Sequence, residues 1–261
     1  MPSYFGQGQS ELATEAKVRG LSYALAINLR IYAAKFAASR YRYWHFDLNA
    51  GSGFNDRVGC VGSPLTFLAQ IEATNIRRYF AGFCDCDVDA IRALKTRPEV
   101  SGNESAFIFH GDNGPLCGAI PHIIAASERP EFALGTVISD DNATGVPVAQ
   151  LAQLATMCPR LDIVIHWNST AFKRVLRRYP ERPLFSLPEA IDAIPKPYWW
   201  IRRPISSHGF TLLVGRNKLI PAPAALGFHL LGSYEGQQIL QRCTNTSSEL
   251  LAMGPTQGGL F

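Results

Sequence analysis

The sequence predicts one doubly wound α/β domain, a mostly parallel sheet of seven strands that closes on an antiparallel hairpin. Beyond residue 40, short apolar runs rich in aromatic and β-branched residues alternate with segments of helical period. That alternation calls for crossover helices, hence parallel strands with helices on both faces. The last two strand runs are joined by Ser206-Ser207-His208-Gly209, too short for a crossover helix, so they pair antiparallel with His208-Gly209 as the turn. A glycine-bearing loop, Asp47-Leu48-Asn49-Ala50-Gly51-Ser52-Gly53, follows the first strand run. Open α/β sheets bind ligands at that point, beyond the carboxyl ends of the strands.

Each element has its own signal. From Glu11 to Ser39 the residues Leu21, Leu25, Leu29, Tyr32 and Phe36 recur at intervals of three and four, one face of a long amphipathic helix. Strands are expected at Tyr43–Leu48, Tyr79–Cys84, Ala106–His110, Phe132–Ser139, Leu161–His166, Tyr198–Arg202 and Phe210–Gly215. Helices are expected near Ser63–Ala73, Val88–Lys95, Cys117–Ser127, Val146–Thr156, Ala171–Arg178 and Pro188–Ala193. Ser63 reads as the cap and Pro64 as the first turn of the first of these, a reading compatible with an equally good ligand-binding role for Gly62-Ser63-Pro64. The chain thus divides into a helical extension (1–40), a ligand-binding domain (41–217) and a segment (218–261) with no assigned role. Within that last segment, Tyr234–Leu240 has the pattern of a helix that packs back on the sheet.

Composition narrows the class of function. No apolar run approaches the roughly 20 residues that span a bilayer, so no membrane role is expected. The polar stretch Met1–Leu12 does not have the form of a secretion signal, and the six cysteines show no framework spacing. A cytoplasmic protein with reduced thiols and no metal site is the expectation. The net charge of +4 is concentrated in Arg77-Arg78, Lys173-Arg174, Arg177-Arg178 and Arg202-Arg203. These form a phosphate-binding face if they converge in space, and solvated caps of separate elements if they do not.

Acidic residues mark the ends of the strands. Gly51 and Gly53 let backbone approach a ligand with no Cβ in the way. Asp85, after the second strand, is placed to accept both hydroxyls of a ribose. Asp87 is the second choice for that role, or else caps the following helix. Asp112, beside Asn113 after the third strand, is placed to accept from an adenine amino group. Each aspartate alone reads as a turn or cap; together, behind a glycine loop, they read as a nucleoside site. A dinucleotide fingerprint has a small residue where this chain has Asp56, and a carboxylate there repels a diphosphate. S-adenosylmethionine, which carries no phosphate, fits better than NAD.

Tyr43-Trp44-His45-Phe46-Asp47-Leu48-Asn49-Ala50-Gly51-Ser52-Gly53, followed by Gly62-Ser63-Pro64-Leu65, resembles the three-Cys-motif partner family of methyltransferases. It is also similar to the adenine-N6 methyltransferases of large-subunit ribosomal RNA. The long first helix with Lys17 near its start, and Leu161-Asp162-Ile163-Val164 running towards Lys173-Arg174, extend the resemblance over most of Glu11 to Gly215. It implies a Rossmann-like class I fold and S-adenosylmethionine held by Asp47, Asn49, Ala50, Gly51, Ser52, Gly53, Asp85, Asp87, Asp112 and Asn113. It further implies methyl transfer to a base amine such as adenine N6 in DNA or RNA.

In such families the fourth strand ends in an acidic or amide residue, two prolines and an aromatic. Here it ends Ser139-Asp140-Asp141-Asn142, without the prolines or the aromatic. Asp140 fills the acceptor role and Asn142 adds a second polar group. Trp167 or Phe54 is left to stack on an extruded base, or to fill the core. His166 either acts on a proton or substrate or is structural. Lys17 either reaches an acidic substrate group or the cofactor carboxylate, or is solvated. Lys173 and Arg174 are candidate substrate contacts. The alternatives are methylation of a small molecule or protein, or a non-catalytic binding subunit with this fold.

Overall fold

The computed structural model describes residues 11–36, 41–140, 145–169, 185–204, 210–220 and 224–244. Helix α1 (Glu11–Phe36) leads into β1 (Tyr43–Asp47), and a small hairpin, β2 (Phe54–Asn55) and β3 (Cys60–Val61), follows the glycine loop. The alternation then runs α2 (Ser63–Ala73), β4 (Tyr79–Asp85), α3 (Val88–Lys95), β5 (Ala106–His110), α4 (Asn113–Ala125), β6 (Leu134–Ser139), α5 (Val148–Met157) and β7 (Leu161–Asn168). The described chain ends with α6 (Leu187–Ala193), β8 (Tyr198–Arg202), β9 (Phe210–Arg216), β10 (Phe228–Leu230) and α7 (Tyr234–Thr244).

The main sheet has the order β10-β8-β9-β7-β6-β1-β4-β5. Strands β5, β4, β1, β6 and β7 are mutually parallel, while β9 lies antiparallel between β7 and β8. All seven expected strands form, and the last two pair antiparallel as expected. The sheet has eight strands rather than seven, because Phe228–Leu230 adds an edge strand on β8. A run of three residues is too short to show a period, so it left no signal in the sequence. The turn at His208-Gly209 and the helix expected at Ala171–Arg178 lie outside the described residues.

Alternation along the strands sorts side chains onto two faces. Tyr43, Ala81, Phe83, Ile138 and Val164 pack under α1 and α2 with Leu21, Leu25, Leu29, Phe67 and Ile71. Trp44, Phe46, Leu48, Val137, Ile163 and Ile165 face α4 and α5, with Leu116, Ile120, Leu151 and Leu154. Ile239 and Cys243 of α7 join this second core, so the described part of the C-terminal segment packs on the sheet. At Gly135 the backbones of β6 and β1 approach so closely that a Cβ would lie 1.7 Å from the Trp44 carbonyl oxygen.

Helix α1 is tied down by polar bonds as well as leucines. Asp162, buried at the start of β7, accepts from Asn28 Nδ2 at 2.6 Å and pairs with Arg216 Nε at 3.0 Å. Tyr43 Oη donates to Asn28 Oδ1 at 2.7 Å. Nearer the helix start, Arg202 Nη1 donates to the Ala16 carbonyl at 2.7 Å. Gly20 makes this approach feasible, since a Cβ there would meet Leu212 Cδ1 at 2.7 Å and Arg202 Nη1 at 2.8 Å.

Candidate functional site

The carboxyl ends of β1, β4, β5, β6 and β7 form one rim, and the glycine loop threads through its centre. Leu48 N donates to Ile138 O (2.9 Å) and Ala50 N to Cys84 O (2.7 Å), so the chain leaving β1 stays between β6 and β4. Gly51 and Gly53 then take φ of 60° and 75°. Both angles belong to the left-handed region that favours glycine. A Cβ on Gly51 would meet nothing within 4 Å, so open space lies over the loop there. Gly62 N donates to Gly53 O at 2.7 Å, and a Cβ on Gly62 would strike the Gly53 carbonyl at 2.9 Å.

This geometry corrects two expectations. Gly62, not Ser63, is the cap of α2, with Ser63 and Pro64 in its first turn. Asp56 does not stand at a helix start: it is exposed, beside the β2–β3 hairpin, 4.0 Å from Arg97. The helix begins at Ser63, after that hairpin, so the loop lacks the immediate helix N-terminus on which a dinucleotide pyrophosphate rests.

Asp85 braces the loop from β4. Its Oδ2 accepts from Gly51 N at 2.8 Å and its Oδ1 from Asp87 N at 2.9 Å. Each carboxylate oxygen has a second lone pair, so two acceptor positions remain for paired hydroxyls. Asp87 resolves as a cap: its carboxylate accepts from Asp89 N and Ala90 N at the start of α3. Both bonds fall on Oδ1, so Asp85 stays the first choice for the ribose and Asp87 the second. Asp112 stands at the cap position of α4 yet makes no capping bond and is exposed, which leaves it open to a ligand; Asn113 follows it in the first turn.

Asp47 is fully buried at the end of β1. Oδ1 accepts from Asn49 N at 3.1 Å and the Ser63 hydroxyl also bonds the carboxyl, while Oδ2 has no hydrogen bond of good geometry among the described residues. Burial pushes its carboxyl up to about 7; the Ser63 hydroxyl and the Asn49 amide pull the other way, and the charges of Asp140 and Asp85 add to the rise. Asp47 thus brings a buried carboxylate, at the base of the glycine loop, whose charge no cation among the described residues neutralises in an ion pair.

Asp140 closes the rim on β6. Asn49 Oδ1 accepts from its backbone N–H at 3.1 Å, linking it to the loop. The carboxylate pairs with Lys17 Nζ from α1 through Oδ2, and its Oδ1 lies 2.7 Å from His166 Nδ1 at the end of β7. Burial acts to raise the Asp140 carboxyl, but the lysine and the histidine outweigh it and hold it well below the usual range. Burial lowers His166, against the pull of Asp140, and keeps the ring neutral. Its Nε2 is buried with no partner among the described residues.

The residues expected at the site divide clearly. Asp47, Asn49, Ala50, Gly51, Ser52, Gly53, Asp85, Asp140 and His166 come together at one rim, with Asp112 and Asn113 at the neighbouring strand end. Trp167 does not: it points into the core beneath α4 and α5 and presents no ring to a substrate. Phe54 lies under the Arg97 guanidinium, 5.4 Å from its ring centroid. Asn142, Lys173 and Arg174 lie outside the described residues. Lys17 pairs with Asp140 of the protein itself, a partner that neither the ligand reading nor the solvated reading names. Ser139 is the group that sequence reasoning missed: its Oγ is buried beside Asp140 with no hydrogen-bond partner among the described residues, while Ser63, read both as a cap and as a ligand-site residue, acts on Asp47. A small hydroxyl residue in a strand or at a helix start carries no distinctive signal.

An antiparallel β9 inserted between β7 and β8, beside five parallel strands with a glycine loop after the central one, decides the fold class. The fold is that of class I methyltransferases. No family model matches the chain, and no curated protein matches it in sequence. Among solved structures it is similar to protein LPL1258 of Legionella pneumophila, at 11% identity over 87% of this chain and 93% of that one, with a TM-score of 0.50. Human methyltransferase-like protein 13 in complex with SAH matches at 11% identity over 94% and 95% of the two chains, TM-score 0.44. An rRNA methylase from Streptococcus thermophilus matches at 10% over 76% and 94%, TM-score 0.39. Identities this low speak to the fold alone. Among the described residues, no helix is long and apolar enough to cross a membrane.

Proposed function

We propose that this protein is an S-adenosylmethionine-dependent methyltransferase acting on nucleic acid, with a base amine such as adenine N6 as acceptor. One observation carries the reading. The open glycine loop, the half-satisfied Asp47 and Asp85 carboxylates and the clasped Asp140 meet at a single rim of a methyltransferase-type sheet.

The residues fit the cofactor group by group. Asp47 Oδ2 suits the methionine ammonium, the free lone pairs of Asp85 suit the ribose hydroxyls, and exposed Asp112 suits the adenine amine. When bound, S-adenosylmethionine supplies an electrophilic methyl group on a sulfonium. The chain's own part is alignment and charge. Asp140 lies next to the loop through Asn49, so its carboxylate and backbone carbonyl can orient an exocyclic amine and draw on its protons. Lys17 keeps Asp140 ionised, and neutral His166 leaves Nε2 as a proton acceptor. The thiols of Cys84, Cys117 and Cys158 are pushed up to about 12, chiefly by burial, which disfavours their reactive thiolate form.

A second reading has one observation behind it. Both Asp140 oxygens already face a partner, and the chain lacks the two prolines and aromatic of the amine-methylating pattern, as in a binding subunit that has lost its acceptor chemistry. Methyl transfer from labelled S-adenosylmethionine to mixed RNA and DNA separates the two. The enzyme reading expects incorporation that Asp140→Ala reduces at least about a hundredfold, while cofactor affinity stays within about threefold. Full turnover in that variant contradicts the assigned role.

A further inference from the structure

Turning from the acidic rim to the opposite end of the sheet reveals the reverse charge. We propose that the amino-terminal rim of the parallel strands is a phosphate-binding track for the backbone of the nucleic-acid substrate. This rests on the nucleic-acid reading above and extends it to a surface remote from the cofactor loop.

The track follows from where basic residues fall relative to strand starts. Arg160 immediately precedes β7, Arg42 immediately precedes β1, and Arg77-Arg78 precede β4. Arg129 opens the short Pro130–Phe132 turn that leads into β6, and Lys218 follows β9, whose antiparallel course brings its end to the same side. In sheet order these are five adjacent strands, β9-β7-β6-β1-β4. At about 4.8 Å between strands they span roughly 19 Å. Neighbouring positions do touch: Tyr43 N donates to Arg78 O at 2.9 Å, so the chains carrying Arg42 and Arg78 run side by side.

Three of these arginines are held against aromatic rings. Arg129 and Arg160 both lie over Phe132, 4.8 and 5.1 Å from its centroid, and Arg42 lies 5.4 Å from the Trp44 ring. A guanidinium stacked on a ring keeps its N–H edge for another acceptor, and the planar fork matches a phosphate. Carboxylates lie mostly at one end of the arc, and Glu99 near the start of β4 is among the exposed ones there. Glu131 pairs with Arg129, and Glu128 accepts from the Trp44 indole. Glu72 and Glu104 are exposed towards its β4–β5 end, and Glu104 at the start of the edge strand β5 ends the series.

Capping of helix dipoles does not account for the pattern. That effect fades within the last helical turn. Helices α2 and α5 have no basic residue in their last turn and α4 has only His122, whereas the arginines sit beyond those helices, at the strand starts. The opposite rim carries Asp47, Asp85, Asp87, Asp112 and Asp140, which repel a phosphate backbone. A polyanion is therefore favoured at the basic rim, and one extruded nucleotide need reach the acidic one. Strand β1, five residues long, rises about 17 Å, the axial rise of about five base steps.

The test measures fluorescence anisotropy of a labelled single-stranded RNA of about 24 nucleotides against salt, with S-adenosylmethionine calorimetry on the same samples. In the triple variant Arg77→Ala, Arg78→Ala, Arg160→Ala, affinity should fall at least tenfold and the slope of log K against log salt should shrink by about 2, three contacts at ~0.7 each. Cofactor affinity should not change. The corresponding triple lysine variant should retain most of the affinity, which separates charge from folding. An unchanged slope in a folded alanine variant overturns the track and leaves the methyltransferase reading standing. Wild-type protein that binds no RNA, whatever it does with anionic lipid or acidic protein, overturns the track as well. Loss of cofactor binding in the wild type instead strikes the underlying reading.

Discussion

At Asp47 the cost of burial and the chemistry of a ligand meet in one carboxyl. Its pKa in the fold, about 7, lies above the ordinary value of 3.8. Its contribution therefore favours the folded state below about pH 4 and is lost as pH rises through 7. A cation at the orphaned Oδ2 reverses that penalty, because it favours the charged form. Binding of S-adenosylmethionine at pH 7 should then release about half a proton. Calorimetry in buffers of different ionisation enthalpy checks this: the apparent enthalpy should vary with buffer in the wild type and stop varying in Asp47→Asn. A buffer-independent enthalpy in the wild type would detach the ammonium from Asp47. Asp140 shows the contrasting case, an equally enclosed carboxylate kept ionised because α1 delivers Lys17 to it.

Helix α1 gives that delivery its precision, and what fixes α1 is partly polar. Removing Arg216 leaves Asp162 buried against Asn28 alone, and burial already pushes this carboxyl upward even with the arginine in place. Arg216→Ala should destabilise the protein by about 3–5 kcal/mol, the usual cost of breaking a buried pair. Denaturant unfolding measures it, and a loss under about 1 kcal/mol would show the pair to be dispensable. Elements such as α1 were legible because Leu21, Leu25 and Leu29 repeat at helical spacing, and the strands because Val, Ile and aromatic runs break off at Gly or Asp. The Asp162–Arg216 pair was not: its members are 54 positions apart and meet only through the β7–β9 pairing. The same holds for Lys17 and Asp140, joined across 123 positions. Aspartates at strand ends are visible in sequence because topology puts every parallel strand end on one rim; which of them caps, braces or waits for a ligand depends on side-chain geometry. Asp87 and Asp85 differ in just that way.

Across the whole molecule, aspartates gather at the carboxyl ends of the parallel strands, and burial within the sheet disfavours protonated histidine. His45 lies inside β1, stacked on Phe67 at 3.7 Å with no hydrogen bond to either ring nitrogen. Burial lowers it from 6.5 to about 3. Its contribution is thus complete above pH 6.5 and is lost as pH falls towards 3, at about 1.4 kcal/mol per pH unit. His166, also lowered by burial, acts in the same direction. His45→Phe should move the acid-unfolding midpoint to lower pH, as followed by tryptophan fluorescence; an unchanged midpoint would mean that other groups govern acid unfolding. At the carboxyl-end rim, five parallel strands bring together a glycine loop and a set of carboxylates, the site proposed for S-adenosylmethionine. Calorimetric titration of the protein with S-adenosylmethionine and with NAD tests that assignment most directly. The account predicts saturable binding of the first and none of the second, weakened in Asp85→Ala by about 1.5–3 kcal/mol through loss of charged hydrogen bonds. Binding of NAD alone, or of neither, would contradict it.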